Sequence, residues 1–103
     1  MTTLPIACNL TALTPDQRQQ HAALAAQLAE AVDAVEELPD GYAFRYHTDE
    51  STWQTVTTWV EWERQCCPFL TFTLERTGDG PVWLRLTGAN GVKDFLAAQL
   101  PRA

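Results

Sequence analysis

The chain has 103 residues, of which 46% are hydrophobic and 19% charged, and its formal net charge is −6. This length suits a single domain spanning residues 1–103, and the composition excludes a disordered tail or a coiled coil. An acidic surface repels phosphate, so we expect neither nucleic acid nor an anionic membrane as a partner.

The sequence predicts a cytoplasmic protein. Residues 1–5 carry no basic segment typical of a signal peptide, and the longest apolar run, residues 22–26, is too short to cross a bilayer. In a reducing compartment the three cysteines are expected to be thiols rather than a disulfide framework.

The first predicted elements are a strand over residues 4–10, which carries Cys8, and a helix over residues 15 to about 36. Thr14 suits the N-cap of this helix, and Gln17 can complete a capping box. The turn at residues 39–41 ends the helix. Its buried stripe is predicted from the 4-3-4 spacing of Leu24, Leu28, Ala31 and Val35.

Alternation of apolar residues predicts a strand over residues 42–47, followed by a helix over residues 52–67 that Pro68 ends. Two strands, residues 69–75 and 82–87, flank a hairpin turn, and residues 92–100 form a final helix. The predicted order is β-α-β-α-β-β-α. We therefore expect an α+β two-layer sandwich, with a mostly antiparallel sheet and the helices on one face.

One segment of the second helix carries residues suited to chemistry. Glu63 falls in the middle of the apolar face, where an isolated charge costs several kcal/mol, so it should be neutral, paired or bound to a cation. Cys66 and Cys67 lie three and four residues further on, so both thiols can sit one turn from the carboxylate.

Three interpretations follow from this cluster. In the first, Cys66, Cys67 and Glu63 bind a thiophilic ion such as zinc, with Cys8 as the third thiol. Neighbouring helical side chains point about 100° apart, so this requires distortion at Pro68. In the second, one cysteine is a redox or nucleophilic thiol and Glu63 transfers its proton, although the helix C-terminus opposes a thiolate. In the third, the cysteines only pack the core.

The alternatives for the surrounding residues remain open. Glu63 alone could pair with Arg45, Arg64, Arg85 or a tyrosine hydroxyl. His21 lies at the edge of the first helix's stripe and could reach a site near Cys8, whereas His47 is expected to be solvated. Trp53 and Trp59 fit the core. Trp62 falls on the side of the second helix opposite Val56 and Val60, and Trp83 on the strand face opposite Leu84. If both are exposed, they mark an apolar surface for a ligand or for a second subunit, and the second subunit would make a homodimer.

Three features of the sequence carry a resemblance to known proteins. They are Cys8 near the N-terminus, Leu86-Thr87-Gly88 before the last helix, and the segment Glu63-Arg64-Gln65-Cys66-Cys67-Pro68-Phe69-Leu70-Thr71-Phe72. In these features the chain resembles a family of small bacterial proteins of unknown function. The shared mark of that family is E-R-x-C-C-P-F-x-x-F. The resemblance implies that Cys8, Glu63, Cys66 and Cys67 belong to one site. It implies no activity, so the sequence predicts a thiol protein that binds a thiophilic metal or metalloid, with a thiol enzyme or a structural dimer as the alternatives.

Overall fold

The computed structural model describes residues 9, 11–47 and 50–99, which form three helices and one four-stranded sheet in the order α-β-β-α-β-β-α. The helices are α1 (Pro15–Ala31), α2 (Glu50–Cys66) and α3 (Val92–Gln99). The strands are β1 (Val32–Leu38), β2 (Gly41–Tyr46), β3 (Thr71–Glu75) and β4 (Val82–Thr87). The α+β class is confirmed, whereas the strand predicted over residues 4–10 lies, except for Asn9, outside the described residues. No described helix has the length and apolar character to cross a membrane.

The sheet is antiparallel throughout, with the strand order β1-β2-β4-β3. Two hairpins, β1–β2 and β3–β4, supply the outer pairings. Helix α2 carries the chain from β2 to the far edge strand β3, and β4 then returns between them. Strands β2 and β3 are therefore parallel and separated by one strand, which is a split β-α-β arrangement.

The first helix is shorter than predicted, because its last five expected residues belong to β1. The N-terminus is as expected: Thr14 accepts from the Gln17 backbone N–H at 3.2 Å and its own N–H donates to the Gln17 side chain. The helix ends at Ala31, and Val32 turns the backbone to an extended conformation. The β1 backbone pairs with β2, and the predicted turn before Gly41 closes that hairpin. Val35 is consequently not part of a buried helical stripe and is 47% exposed.

The core lies between the helices and one face of the sheet. Side chains that alternate along β2 and β4 form the sheet side of this core, because successive strand residues point to opposite faces. Its buried members from these strands are Phe44, Tyr46, Val82, Leu84 and Leu86, and the helices add Leu28, Val56, Cys66, Val92 and Leu96.

The opposite face of the sheet carries paired charges rather than an apolar patch. The Arg45 guanidinium lies 5.9 Å from the centre of the Trp83 ring and also donates to Asp33. Trp83 is half-buried, and Trp62 on α2 is half-buried against the core. Both tryptophans are half-buried, and the homodimer stays a prediction.

Candidate functional site

Glu63 is the centre of the candidate site, and it joins two helices. Its side chain is 17% exposed, and its Oε1 accepts a hydrogen bond from the Cys67 thiol at 3.1 Å. The other carboxylate oxygen, Oε2, forms a hydrogen bond with Nε2 of His21 on α1. Glu63 and Cys67 therefore lie close together on one side of α2, as their spacing predicts. His21, which is distant in sequence, is the second hydrogen-bond partner of the carboxylate.

His21 is fixed by aromatic contacts as well as by the carboxylate. Its ring stacks on Trp59 with centroids 5.7 Å apart and planes 14° from parallel, and the Trp62 ring lies 6.2 Å away. Only 14% of the side chain is exposed. Nδ1 is buried and has no hydrogen-bond partner among the described residues, so the carboxylate is the one polar contact described for this ring.

The arginines considered as partners of Glu63 are engaged elsewhere, so that expectation is wrong. Arg45 pairs with Asp33, Arg64 with Glu61 and Arg85 with Glu75. The hydrogen bond from Arg64 lowers the pKa of Glu61 on the exposed side of α2. His47 is exposed, with Nδ1 at 3.7 Å from Asp33, as its place at the end of the strand predicted.

The two neighbouring cysteines lie in the core at the end of α2. Cys66 is 9% exposed and Cys67 is 0% exposed, and no disulfide joins them. The Cys67 backbone N–H donates to the Glu63 carbonyl at 2.7 Å, so the helical hydrogen-bond pattern reaches Cys67 and holds its side chain one turn beyond Glu63.

Cys8 lies outside the described residues, so its expected place in the site stays a prediction. The next residue, Asn9, donates its backbone N–H to the Cys66 carbonyl at 2.6 Å. This bond ties the chain at Asn9 to the C-terminal end of α2. Within residues 9, 11–47 and 50–99, no group of three or more His, Cys, Asp or Glu side chains is arranged to hold a metal ion.

An apolar cavity of about 420 Å³ adjoins the Glu63 and His21 pair. It lies between the helices and the sheet, and its polar wall residues are His21, Tyr46 and Glu63. Burial raises the pKa of the Tyr46 phenol to about 12, so this group is uncharged at neutral pH. The rest of the wall consists of Ala25, Leu28, Ala29, Val32, Phe44, Trp59, Leu70, Leu84, Leu86, Phe95 and Leu96.

No local pattern in the sequence indicates His21 as the partner of Glu63. The two residues are 42 positions apart, and the contact exists because α1 packs against α2. Comparison of the chain with protein-family models, curated proteins and solved structures gives no match. Membership of the bacterial family with the E-R-x-C-C-P-F-x-x-F segment stays a prediction, and the function is argued from the site itself.

Proposed function

We propose that this protein binds a thiophilic metal or metalloid ion, with zinc as the first candidate, at the C-terminal end of α2. The proposed ligands are the Cys67 thiolate and the Glu63 carboxylate, with Cys66 and Cys8 completing the shell. The observation that carries the proposal is the 3.1 Å separation between the Cys67 sulfur and Glu63 Oε1.

This separation is close to what one ion would require. Tetrahedral zinc, with bonds of about 2.3 Å to sulfur and about 2.1 Å to oxygen, holds the two ligand atoms about 3.6 Å apart. A widening of about 0.5 Å would let the ion take the place of the thiol proton. On binding, the zinc–sulfur bond forms, the S–H bond breaks, and the proton leaves to solvent.

Burial and charge favour a bound cation over a reactive nucleophile. Cys67 is 0% exposed, so a substrate has no direct access to its sulfur in this conformation. A carboxylate beside the thiol opposes a second negative charge on sulfur, and the negative end of the α2 dipole does the same. A divalent cation reverses both effects, because it is attracted by the carboxylate, the thiolate and the helix terminus together.

His21 is proposed as the residue that positions the carboxylate. Its Nε2 forms a hydrogen bond with Oε2, and this bond fixes the orientation in which Oε1 faces Cys67. Partners of this kind outside the ligand shell often change metal affinity by about 10–100-fold when they are removed.

Cys8 is included because the chain next to it is attached to the site. Asn9 binds the Cys66 carbonyl, and Cys8 is the residue immediately before Asn9. A third thiol would supply a ligand that the described residues do not offer, and the Cys8→Ser variant tests its contribution directly.

The experiment is competitive titration of the full chain with zinc against a chromophoric chelator, repeated with copper(I) and arsenite. We expect one ion per chain and proton release in weakly buffered solution. The Cys66→Ser/Cys67→Ser double variant should lose binding, and Glu63→Gln should weaken it about 10-fold or more. Glu61→Gln is the matched control, since Glu61 is an exposed carboxylate on the same helix. Unchanged affinity in the double variant, or no binding by the wild type, would refute the proposal.

A second candidate is a thiol-dependent redox protein or enzyme. The observation that favours it is the hydrogen-bonded series Cys67–Glu63–His21, in which the carboxylate can accept the thiol proton. Reaction with iodoacetamide distinguishes the metal-binding function from the thiol-dependent one. A metal-binding thiol buried in the core should react only after unfolding. A catalytic thiol should react in the folded, metal-depleted protein, and this reactivity should be lost in Glu63→Gln.

A further inference from the structure

We propose that the cavity beneath α1 is a second binding site, which takes a neutral and mainly apolar small molecule of two or three rings, or a hydrocarbon chain of similar volume. This site shares the Glu63 carboxylate with the proposed metal ligands, but neither described cysteine lines its wall. The cavity itself, and not the thiols, supports this site, so it does not depend on metal binding by the chain.

The cavity follows α1, and polar residues of its wall lie towards both ends of this helix. Val32 is eleven positions after His21, which corresponds to about 16 Å along a helix axis at 1.5 Å per residue. Val32 pairs with Tyr46 across the β1–β2 ladder. The His21–Glu63 pair thus lies towards one end of the α1 helix and the Tyr46 backbone towards the other.

Small side chains on α1 give access to this space. Ala25 and Ala29 line the cavity and are also exposed, so they mark its mouth. Residues of this size leave an opening between the helix and the apolar wall, and Leu28 on the same helix is buried beside it. A ligand could enter without unfolding a strand.

The volume sets the size of the ligand. A cavity of 150 Å³ binds benzene, so by proportion about 420 Å³ accommodates roughly 17 carbon atoms. Binding pockets of about 300–1,000 Å³ with apolar walls and a few polar groups are usual for small molecules.

Charge and hydrogen bonding set the chemistry of the ligand. The Glu63 carboxylate and the net charge of −6 disfavour an anion. Tyr46 is buried, and its phenol is uncharged at neutral pH. A carbonyl or ether oxygen on the ligand would accept a hydrogen bond from its hydroxyl.

The test uses the neutral three-ring dye N-phenyl-1-naphthylamine, whose fluorescence rises in an apolar site. We expect a saturable rise with the wild-type chain. Ala29→Phe places a ring in the mouth and should weaken binding at least tenfold. Ala26→Phe is the matched control, because it makes the same substitution at an exposed α1 position that does not line the cavity.

Several outcomes would overturn the proposal. The first is the absence of saturable dye binding by the wild-type chain, and the second is dye binding by Ala29→Phe that is as tight as that of the wild type. The third outcome is a wild-type dimer that Ala29→Phe converts to a monomer, because a second copy of the chain would then cover the mouth of the cavity. Cys67→Ser should retain dye binding even if it loses zinc, so failure of this site and failure of the metal site are measured separately. Circular dichroism shows that each variant is folded.

Discussion

Replacing His21 with alanine should destabilise this protein far more than replacing its other histidine. The His21 ring contacts both Glu63 and Trp59 and is 14% exposed. Loss of a hydrogen bond to a charged group costs about 1.5–3 kcal/mol. Loss of the ring stacking costs about 0.5–1.5 kcal/mol. We therefore expect His21→Ala to lower the free energy of unfolding by about 2–4 kcal/mol.

The assay is urea unfolding at neutral pH, monitored by the fluorescence of the four tryptophans, one of which is Trp59 in the stacked pair. At about 4–8 °C per kcal/mol for a domain of this size, the same change should lower Tm by roughly 10–30 °C. His47→Ala is the control. Its side chain is 55% exposed and lies 3.7 Å from Asp33, so its effect should stay within about 0.5 kcal/mol.

A double-mutant cycle isolates the contact itself. Glu63→Gln removes the charge that His21 contacts, so the effects of His21→Ala and Glu63→Gln should not add, and the coupling free energy should be about 1–3 kcal/mol. A coupling below about 0.5 kcal/mol would show that the two side chains do not stabilise each other. The positioning role proposed for His21 in metal binding would then fail as well.

Two further predictions concern backbone fit and pH. Gly41→Ala should prevent or severely weaken folding, because a Cβ there would lie 1.9 Å from the Leu86 carbonyl oxygen. Gly78→Ala should lower the free energy of unfolding by only about 1 kcal/mol, because Gly78 has φ +55 and no atom lies within 4 Å of an added Cβ. Similar Tm values for the two variants would contradict this prediction. Burial raises the pKa of Tyr46 from 10.0 to about 12. The neutral Tyr46 phenol therefore makes its full contribution to the free energy of unfolding below pH 10, and this contribution is lost as the pH rises to 12. Urea unfolding across this range should show a loss of roughly 2–3 kcal/mol that Tyr46→Phe abolishes and Tyr42→Phe does not.

Much of the local structure could be predicted from the sequence. The capping box at Thr14 and Gln17 depends on residues three positions apart, and α1 begins where that pattern indicates. The boundaries of β4 are those predicted, because Val82, Leu84 and Leu86 alternate with more polar residues between a turn and a glycine. The one-turn spacing of Glu63 and Cys67 likewise follows from the period of the helix.

The end of α1 could not be predicted in the same way. A 4-3-4 apolar spacing continues to Val35, so the local pattern favours a longer helix. The chain instead becomes extended at Val32, where its backbone groups pair with β2. A strand pairing of this kind depends on a second segment, and tertiary context can outweigh a weak helical preference.

The sequence by itself determined where most helices and strands begin and that one acidic residue lies one turn from a thiol. Both properties depend on residues a few positions apart. Tertiary structure alone decided that Glu63 contacts His21 rather than an arginine, and that the helices enclose a cavity against the sheet. Those outcomes depend on how α1 packs against α2 and the sheet, and no local periodicity encodes that distance or orientation.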